Sequence, residues 1–536
     1  MAMKVDLVIR GGTVVDGSGS SPVQADVLVG AGRVVAIEPA GGGPVPDARV
    51  LDATSLAVAP GFIDIHTHSD VSVLLDGRAQ SKVAQGVTTE VVGNCGFSPY
   101  PLDRSQLGAH RDLLAGIGDD PMELTWSDVD GYAVEVRSRG SSVNIVPLVG
   151  HGQLRIAANG LAEKASAGVI DTMRALLADL LQQGAFGMST GLTYVPSRYA
   201  STGELEALCA VLADADALYA THARGGGPSA IQEAVELGRA CGVRVQYSHI
   251  AINEPDDWGR AGVLLGLFDD ARRGGVDIAC DVYPYDASAS ALTQYLPPWV
   301  LEGGVEAMRA RLADASTMRR AERDLAAGWG EHARVPWYWD RVVISRTAEG
   351  PVASGRAPAE GATIEKAAAG AGLTPERYVL ELCRAGGNRV QVVLFYRTEA
   401  DMREFLRHPS TVIGSDGSAL PFEQHGRKPH PRAFGAHARV LGRYCRQTGD
   451  LDLATAVHRM SGAVADRLGL TDRGRLSRGA AADIVVFDPR TVADQATFTD
   501  PGRPPSGIVH VVVNGELVVH AGVQTPARPG RVLRSR

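Results

Sequence analysis

The stretch GFIDIHTHSD, residues 61 to 70, constrains this chain more than any other. Gly61 to Ile65 reads as a short buried strand, bounded by Pro60 and running directly into His66-Thr67-His68. Alternate residues of a strand share a face, so His66 and His68 project together from its C-terminal end. Two imidazoles on one side of a strand end suit a divalent metal of the zinc type. A bare His-x-His is equally at home in a polar loop, so other segments must supply the remaining ligands.

Candidates for those ligands recur at regular structural intervals. Apolar strand segments end near His66-His68, Cys95, His151, Thr190, His222, His249, Tyr283 and Asp416. Helical patterns lie between several of them, such as IDTMRALLADLLQQG and PSAIQEAVELGRACG, each closing on a glycine. Eight strands with crossover helices predict an α/β fold of the (β/α)8 barrel type, whose active site lies at the C-terminal strand ends. Convergence there would gather His66, His68, Cys95, His222, His249 and Asp416, all metal-compatible groups. The fourth strand ends in Gly187-Met188-Ser189-Thr190, without the lysine that bridges two metals in many binuclear barrel hydrolases. Cys95, in the loop Gly93-Asn94-Cys95-Gly96, can supply the bridging anion instead, because a metal-bound thiol is deprotonated.

The chain's 536 residues leave room for a satellite domain. Residues 4 to 59 and the C-terminal segments AADIVVFDP and IVHVVVNGELVVHAG read as strands, the last a hairpin turning at Asn514-Gly515. Neither end is long enough for a core of its own, so the two are expected to pair into one small β-sandwich. The expected organisation is therefore a sandwich part at 1–59, the barrel at 60–471 and the rest of the sandwich at 472–536. Residues 290–404 are too many for one βα unit and predict an insertion before the eighth strand, either a lid or a packing element.

Composition bounds the partners. A net charge of −8 without a basic patch argues against nucleic acid. No apolar run reaches membrane-spanning length, and MAMKVDLVIRGG has no signal-peptide core. With six scattered cysteines, a reduced, cytoplasmic protein acting on a small molecule is expected. Its oligomeric state is left open.

The motifs GFIDIHTHSD, VVGNCGFSP, STGLTYVPSRYAS, THARG, YSHI, DVYPYDAS, GSDG, HPRAFG and ARPGRVLR together resemble the D-aminoacylase (N-acyl-D-amino-acid deacylase) group of the amidohydrolase superfamily, nearly end to end. The resemblance implies a zinc hydrolase of N-acyl-D-amino acids. It implies one tight zinc on Cys95, His222 and His249, and a weaker second metal on His66, His68 and Asp416 with Cys95 shared. Asp416 would act as proton shuttle, and Tyr194 in GLTYVP is a candidate oxyanion donor. Arg224, Tyr283 and Ser288 are candidates for a substrate carboxylate.

The chain departs from the family at Gly226-Gly227, at Ala436-His437 where Thr-Phe is usual, and at Ala251 where a lysine is common. Without that lysine, Arg224, Tyr283, Ser288 or an arginine of the insertion must hold a carboxylate, or the preferred substrate lacks one; the sequence leans to the second. Two other readings remain: a cyclic-amide hydrolase or cyclase of the hydantoinase or dihydroorotase type, and a silent metal-binding scaffold.

Overall fold

The computed structural model describes residues 4–43, 47–118, 120–329, 337–347 and 360–535. Eight strand positions form its centre: β1 (Phe62–Asp64), β2 (Val87–Val92), β3 (Asn144–Pro147, extended by Val149–Gly150), β4 (Gly187–Gly191), β5 (Leu218–His222), β6 (Arg244–Tyr247), β7 (Ile278–Val282) and β8 (Thr411–Ile413). Each pairs in parallel with the next along the chain: β1 through β3 in one sheet, and the extension of β3 through β8 in another. A parallel bridge between Thr67 and Gly417 then links the chain just past β1 to the chain just past β8. β2 is buried along its whole length. Apart from Glu90 its residues are all β-branched, as suits a parallel sheet covered on both faces.

The covering helices follow from their sequences. The helix Ala167–Gln182 starts where the Ser166 hydroxyl accepts from Val169 N, and it buries Met173, Leu177 and Leu180 at spacings of four and three. The helix Gly227–Cys241 stops at Gly242, whose left-handed backbone closes it. The insertion carries two consecutive helices, Gly304–Ala313 and Ala315–Ala327. They separate at Asp314, whose carboxylate caps the second through Thr317 N.

Strands from both chain ends pair, as their lengths demand, in one nine-stranded sheet. Ala57–Pro60 joins the two ends, parallel to Thr13–Val14 and antiparallel to Ile484–Phe487. Leu7, Ile9, Val27 and Val58 share a core with Ile484, Val486 and Val512. Asn514 and Gly515 make the expected hairpin turn, both with positive φ.

The insertion has its own core, including Leu296, Val300, Met308, Leu325, Val379 and Val392. Its sheet begins earlier than expected, at Ser288: Ser288–Ala291 and Val342–Arg346 flank Gln391–Leu394, all antiparallel. Residues 348–359 of the insertion lie outside the described residues. Among the described residues, no helix is long and apolar enough to cross a membrane.

Candidate metal centre and substrate cavity

The ends of β1 and β8 are locked together. Asp416 N donates to His66 O at 2.8 Å and His68 N to Gly417 O at 3.3 Å. Beneath them lies Lys82, fully buried, with Nζ at 2.9 Å from Asp64 Oδ2, 2.8 Å from Ser415 Oγ, 2.9 Å from Gly417 O and 3.2 Å from Glu90 Oε1. Burial opposes its charge, but Asp64 and Glu90 outweigh burial and hold the ammonium above its ordinary pKa. One lysine thus ties the His66-His68 strand to the Ser415-Gly417 turn.

Cys95 reaches the same point from β2. Gly93 turns the chain with a φ of +85°, where a Cβ would lie 2.1 Å from Leu148 O. Gly96 N then donates to Ser189 Oγ on β4 at 2.9 Å. A Cβ on Gly191 would lie 2.0 Å from Cys95 O. The Cys95 loop therefore covers the end of β4. Cys95, His249 and Asp416 all have positive φ. Such backbone costs a non-glycine residue roughly 1–3 kcal/mol and persists where the surroundings over-determine it, as at functional sites.

Two donor sets result, His66, His68, Cys95 and Asp416, and Cys95, His222 and His249, each with ligand atoms within 4.8 Å of one another. His66 Nε2 lies 3.2 Å from Cys95 Sγ and 3.5 Å from Asp416 Oδ1, and His68 Nε2 lies 3.0 Å from Asp416 Oδ1. In the other set, Cys95 Sγ is 3.4 Å from His249 Nε2, which is 3.0 Å from His222 Nδ1. Zinc bonds of 2.0–2.3 Å in tetrahedral array separate ligand atoms by roughly 3.3–3.6 Å. The donor pairs at 3.0–3.5 Å come within a few tenths of an ångström of that spacing.

Electrostatics agree. Burial, only partly opposed by the Asp416 charge, pushes His249 down to about 3, leaving a neutral imidazole. Burial also pushes the Cys95 thiol up to about 11, so without a cation it would stay protonated at neutral pH. Burial works against the Asp416 charge too, yet the Arg432 guanidinium and the His68 hydrogen bond hold it well below the usual carboxylate range. Arg432 Nη1 is 2.6 Å from Asp416 Oδ2. Asp281 holds the His66 ring and the His249 backbone from behind: its Oδ1 lies 3.1 Å from His66 Nδ1 and accepts from the His249 backbone N at 2.9 Å. Thr193 Oγ1 lies 3.0 Å from His222 Nε2.

A cavity of about 370 Å³ opens beside His222 and His249. Tyr194, Ala251, Ser288 and Arg397 line it. Tyr194 stands at its inner end, its ring 5.0 Å from that of His222 and 4.9 Å from that of Phe97. Arg397, from the insertion, donates through Nε to Asn253 Oδ1 at 2.7 Å and through Nη1 to the Tyr283 hydroxyl. Tyr283 is buried beneath that guanidinium, which lies 4.8 Å from its ring. Arg224 is not where the sequence suggests. Its guanidinium donates to Arg198 O at 2.7 Å, Ala200 O at 2.9 Å and Glu233 Oε1 at 3.4 Å, bracing the β4–β5 loops, and it does not line the cavity.

A family model described as "Amidohydrolase family" matches residues 49–519. The chain belongs to the amidohydrolase family. An N-acyl-D-glutamate deacylase of Alcaligenes xylosoxydans xylosoxydans is 36% identical over 540 residues, covering 100% of this chain and 97% of that one. A D-aminoacylase of the same organism is also 36% identical over 535 residues, covering 98% and 97%. Among solved structures, an N-acyl-D-glutamate deacylase from Bordetella bronchiseptica, complexed with zinc and a phosphonate mimic of the tetrahedral intermediate, superposes with a TM-score of 0.81 at 34% identity, covering 99% and 100%. A D-aminoacylase described by its binuclear metal centre gives 0.82 at 33%, with the same coverage. A D-hydantoinase, at 15% identity and a TM-score of 0.56, shares the fold alone.

Within this amidohydrolase, sequence reasoning missed Lys82, Asp281, Arg397 and Arg432. A signal existed for two of them. Asp281 interrupts the otherwise apolar IACDV of β7, and a charge inside a buried strand needs a partner. Arg432 lies in HPRAFG, a motif noted for resemblance but given no task. Lys82 sits in a four-residue helix that reads as solvent-facing, and only the topology buries it.

Proposed function

We propose that this amidohydrolase cleaves the amide bond of an N-acyl-D-amino acid carrying a free α-carboxylate. The observation that carries the reading is the pair of donor sets sharing Cys95, opening onto a cavity with an arginine on its wall. Cys95, His222 and His249 would hold the tighter zinc, and His66, His68 and Asp416, with Cys95 shared, a weaker second ion. When bound, zinc supplies a Lewis acid for the amide carbonyl and lowers the pKa of the attacking water. Asp416, ionised at neutral pH, takes the proton of that water and delivers it to the leaving nitrogen, which cannot depart as an amide anion. Arg432 and His68 hold that carboxylate in place. The Tyr194 phenol, kept protonated by burial, donates to the oxygen on which charge develops.

Arg397 takes the role expected of Arg224. It lines the cavity together with His222 and His249, pre-oriented by Asn253 and Tyr283, and Ser288 adds a hydroxyl to the lining. This supports a substrate with a carboxylate, against the leaning of the sequence: an arginine 146 positions after Ala251 offers the charge that Ala251 lacks. The architecture we infer around this site is a closed (β/α)8 barrel at 60–471, supported by the Thr67–Gly417 bridge, and a sandwich built from 1–59 and 472–536. The cysteines among the described residues are unpaired, which suits a reducing, cytoplasmic setting.

The test is chiral analysis of the amino acid released from N-acetyl-D-methionine and N-acetyl-L-methionine, with metal content measured on the same sample. Release of the D-amino acid, abolished by chelator and restored by zinc, is expected. Ring opening of a hydantoin or dihydroorotate with no release from either N-acetyl compound would overturn the reading.

A further inference from the structure

The substrate cavity is not the only space around Tyr194. A second cavity of about 120 Å³ lies on the Asp416 side, with Arg346, Gln391, Gln424, Arg427 and Arg432 on its wall. A third, of about 60 Å³, shares Phe97, Gly116 and Tyr194 with the second and Thr193, Tyr194 and Gln294 with the first. Leu113, Leu161, Val195, Leu301 and Val305 line it, together with Asp112, Thr293 and Asn388. It begins at the metal centre itself: Phe97, two residues past Cys95, packs with Cys95, Leu113 and Ile156 and stands edge-on to His68 at 5.9 Å.

The substrate's connectivity decides which part reaches it. With the α-carboxylate on Arg397 and the amide at the metal ligands, the Cα side of the amide lies in the large cavity. The acyl carbon is bonded on the opposite side of the amide nitrogen, so its chain leaves in the other direction, past Tyr194 and Phe97. Two spaces lie there, one polar and arginine-rich, the other walled mainly by aliphatic side chains. An alkyl chain gains by leaving water only in the second. At roughly 10–15 Å³ per water-sized group, that chamber admits about four to six methylene-sized groups.

We propose that the chamber behind Phe97 and Tyr194 is an acyl-chain subsite, and that the enzyme prefers medium-length aliphatic acyl groups, near hexanoyl, to acetyl. The proposal rests on the amide-hydrolase reading above for the placing of the amide. Leu161 and Val305 are its specificity-determining residues.

The experiment measures kcat/KM for the acetyl, butanoyl, hexanoyl and decanoyl derivatives of D-methionine. In parallel, calorimetry on the zinc-loaded protein measures affinities for acetate, butanoate, hexanoate and decanoate, the acids that would be released. Each methylene buried up to hexanoyl is expected to raise both quantities about fourfold, with no further gain beyond. Leu161→Trp and, separately, Val305→Phe fill the chamber and are expected to flatten the series. A flat or falling series in the parent overturns the proposal, and so does a rising series that survives in either folded variant. Failure to hydrolyse any N-acyl-D-amino acid would count against the enzymatic reading instead, while the alkanoate affinities still decide whether the chamber binds the chain.

Discussion

The metal end of the strands and the wall supplied by the insertion are built on different principles. At the strand ends each functional group is fixed several times over. Asp416 is held by His68 and Arg432, and the turn that carries it is tied to Lys82. The insertion wall is held by its own separate core and by its own sheet. It lines the substrate cavity through Ser288, Ala289, Ser290, Gln294, Tyr295 and Arg397. The first region can change little without losing the chemistry. The second can exchange side chains, and with them the substrate, while its core keeps the wall standing.

The largest effect should come from the strand ends. Asp416→Asn is expected to retain the fold and the Cys95, His222 and His249 donors, yet to lower kcat by about two to four orders of magnitude. Stopped assays against circular dichroism and zinc content check this. Near-normal turnover would mean that another group moves the proton.

Next comes the floor beneath the ligands. Lys82→Met leaves Asp64 and Glu90 buried without their cation, which typically costs about 3–5 kcal/mol. Denaturant unfolding should show that loss, and with it looser metal binding. Stability within about 1 kcal/mol of the parent would show that Asp64 and Glu90 do not depend on Lys82.

The insertion wall should respond in a different quantity. Arg397→Met removes charge-assisted hydrogen bonds worth about 1.5–3 kcal/mol, so KM should rise roughly 10- to 150-fold with a smaller change in kcat. Arg224→Ala, outside the cavity lining, should leave KM within about threefold and show instead as faster proteolysis of the β4–β5 loops it braces. If Arg224→Ala raised KM as Arg397→Met should, the assignment of the carboxylate seat would be reversed.

How far each region could be read from the sequence follows the same division. His66, His68, Cys95, His222, His249 and Asp416 stand at the ends of strands whose apolar runs are visible, and parallel strands in chain order must bring those ends together. Nothing comparable announces Arg397. It lies 144 positions from its partner Asn253, in a segment whose own fold had to be known before any side chain could be placed. Arg224 is what proximity in sequence to the candidate ligand His222 picks out. The backbone carbonyls of Arg198 and Ala200 claim it instead, because loops at the ends of parallel strands expose acceptors that a long guanidinium satisfies. Lys82 was hidden for the opposite reason: lysines on short helices are mostly solvated, and the two carboxylates that make its burial possible come from other strands.

The smallest expected effect sharpens how dry the floor under the metal ligands is. His437, where the resembling family carries phenylalanine, is fully buried, and neither ring nitrogen has a hydrogen-bond partner among the described residues. Its ring stacks on Phe62 at 5.9 Å, so the imidazole serves there as an aromatic plate. Burial, with Asp64 attracting and Lys82 repelling its charge, pushes it down to about 4. The sign follows from the unfolded chain binding this proton first. An unfolded histidine titrates near 6.5, so stability is unaffected well above that value, falls as pH drops from about 6.5 toward 4, and levels off below. At pH 5 the loss is about 2 kcal/mol. His437→Phe keeps the stacking and removes the titration, so it should match the parent at pH 8 and exceed it by about 2 kcal/mol at pH 5 in chemical unfolding. Equal stability of the two proteins at pH 5 would mean that the folded protein accommodates the imidazolium, and that the floor is less dry than the buried Lys82 cluster implies.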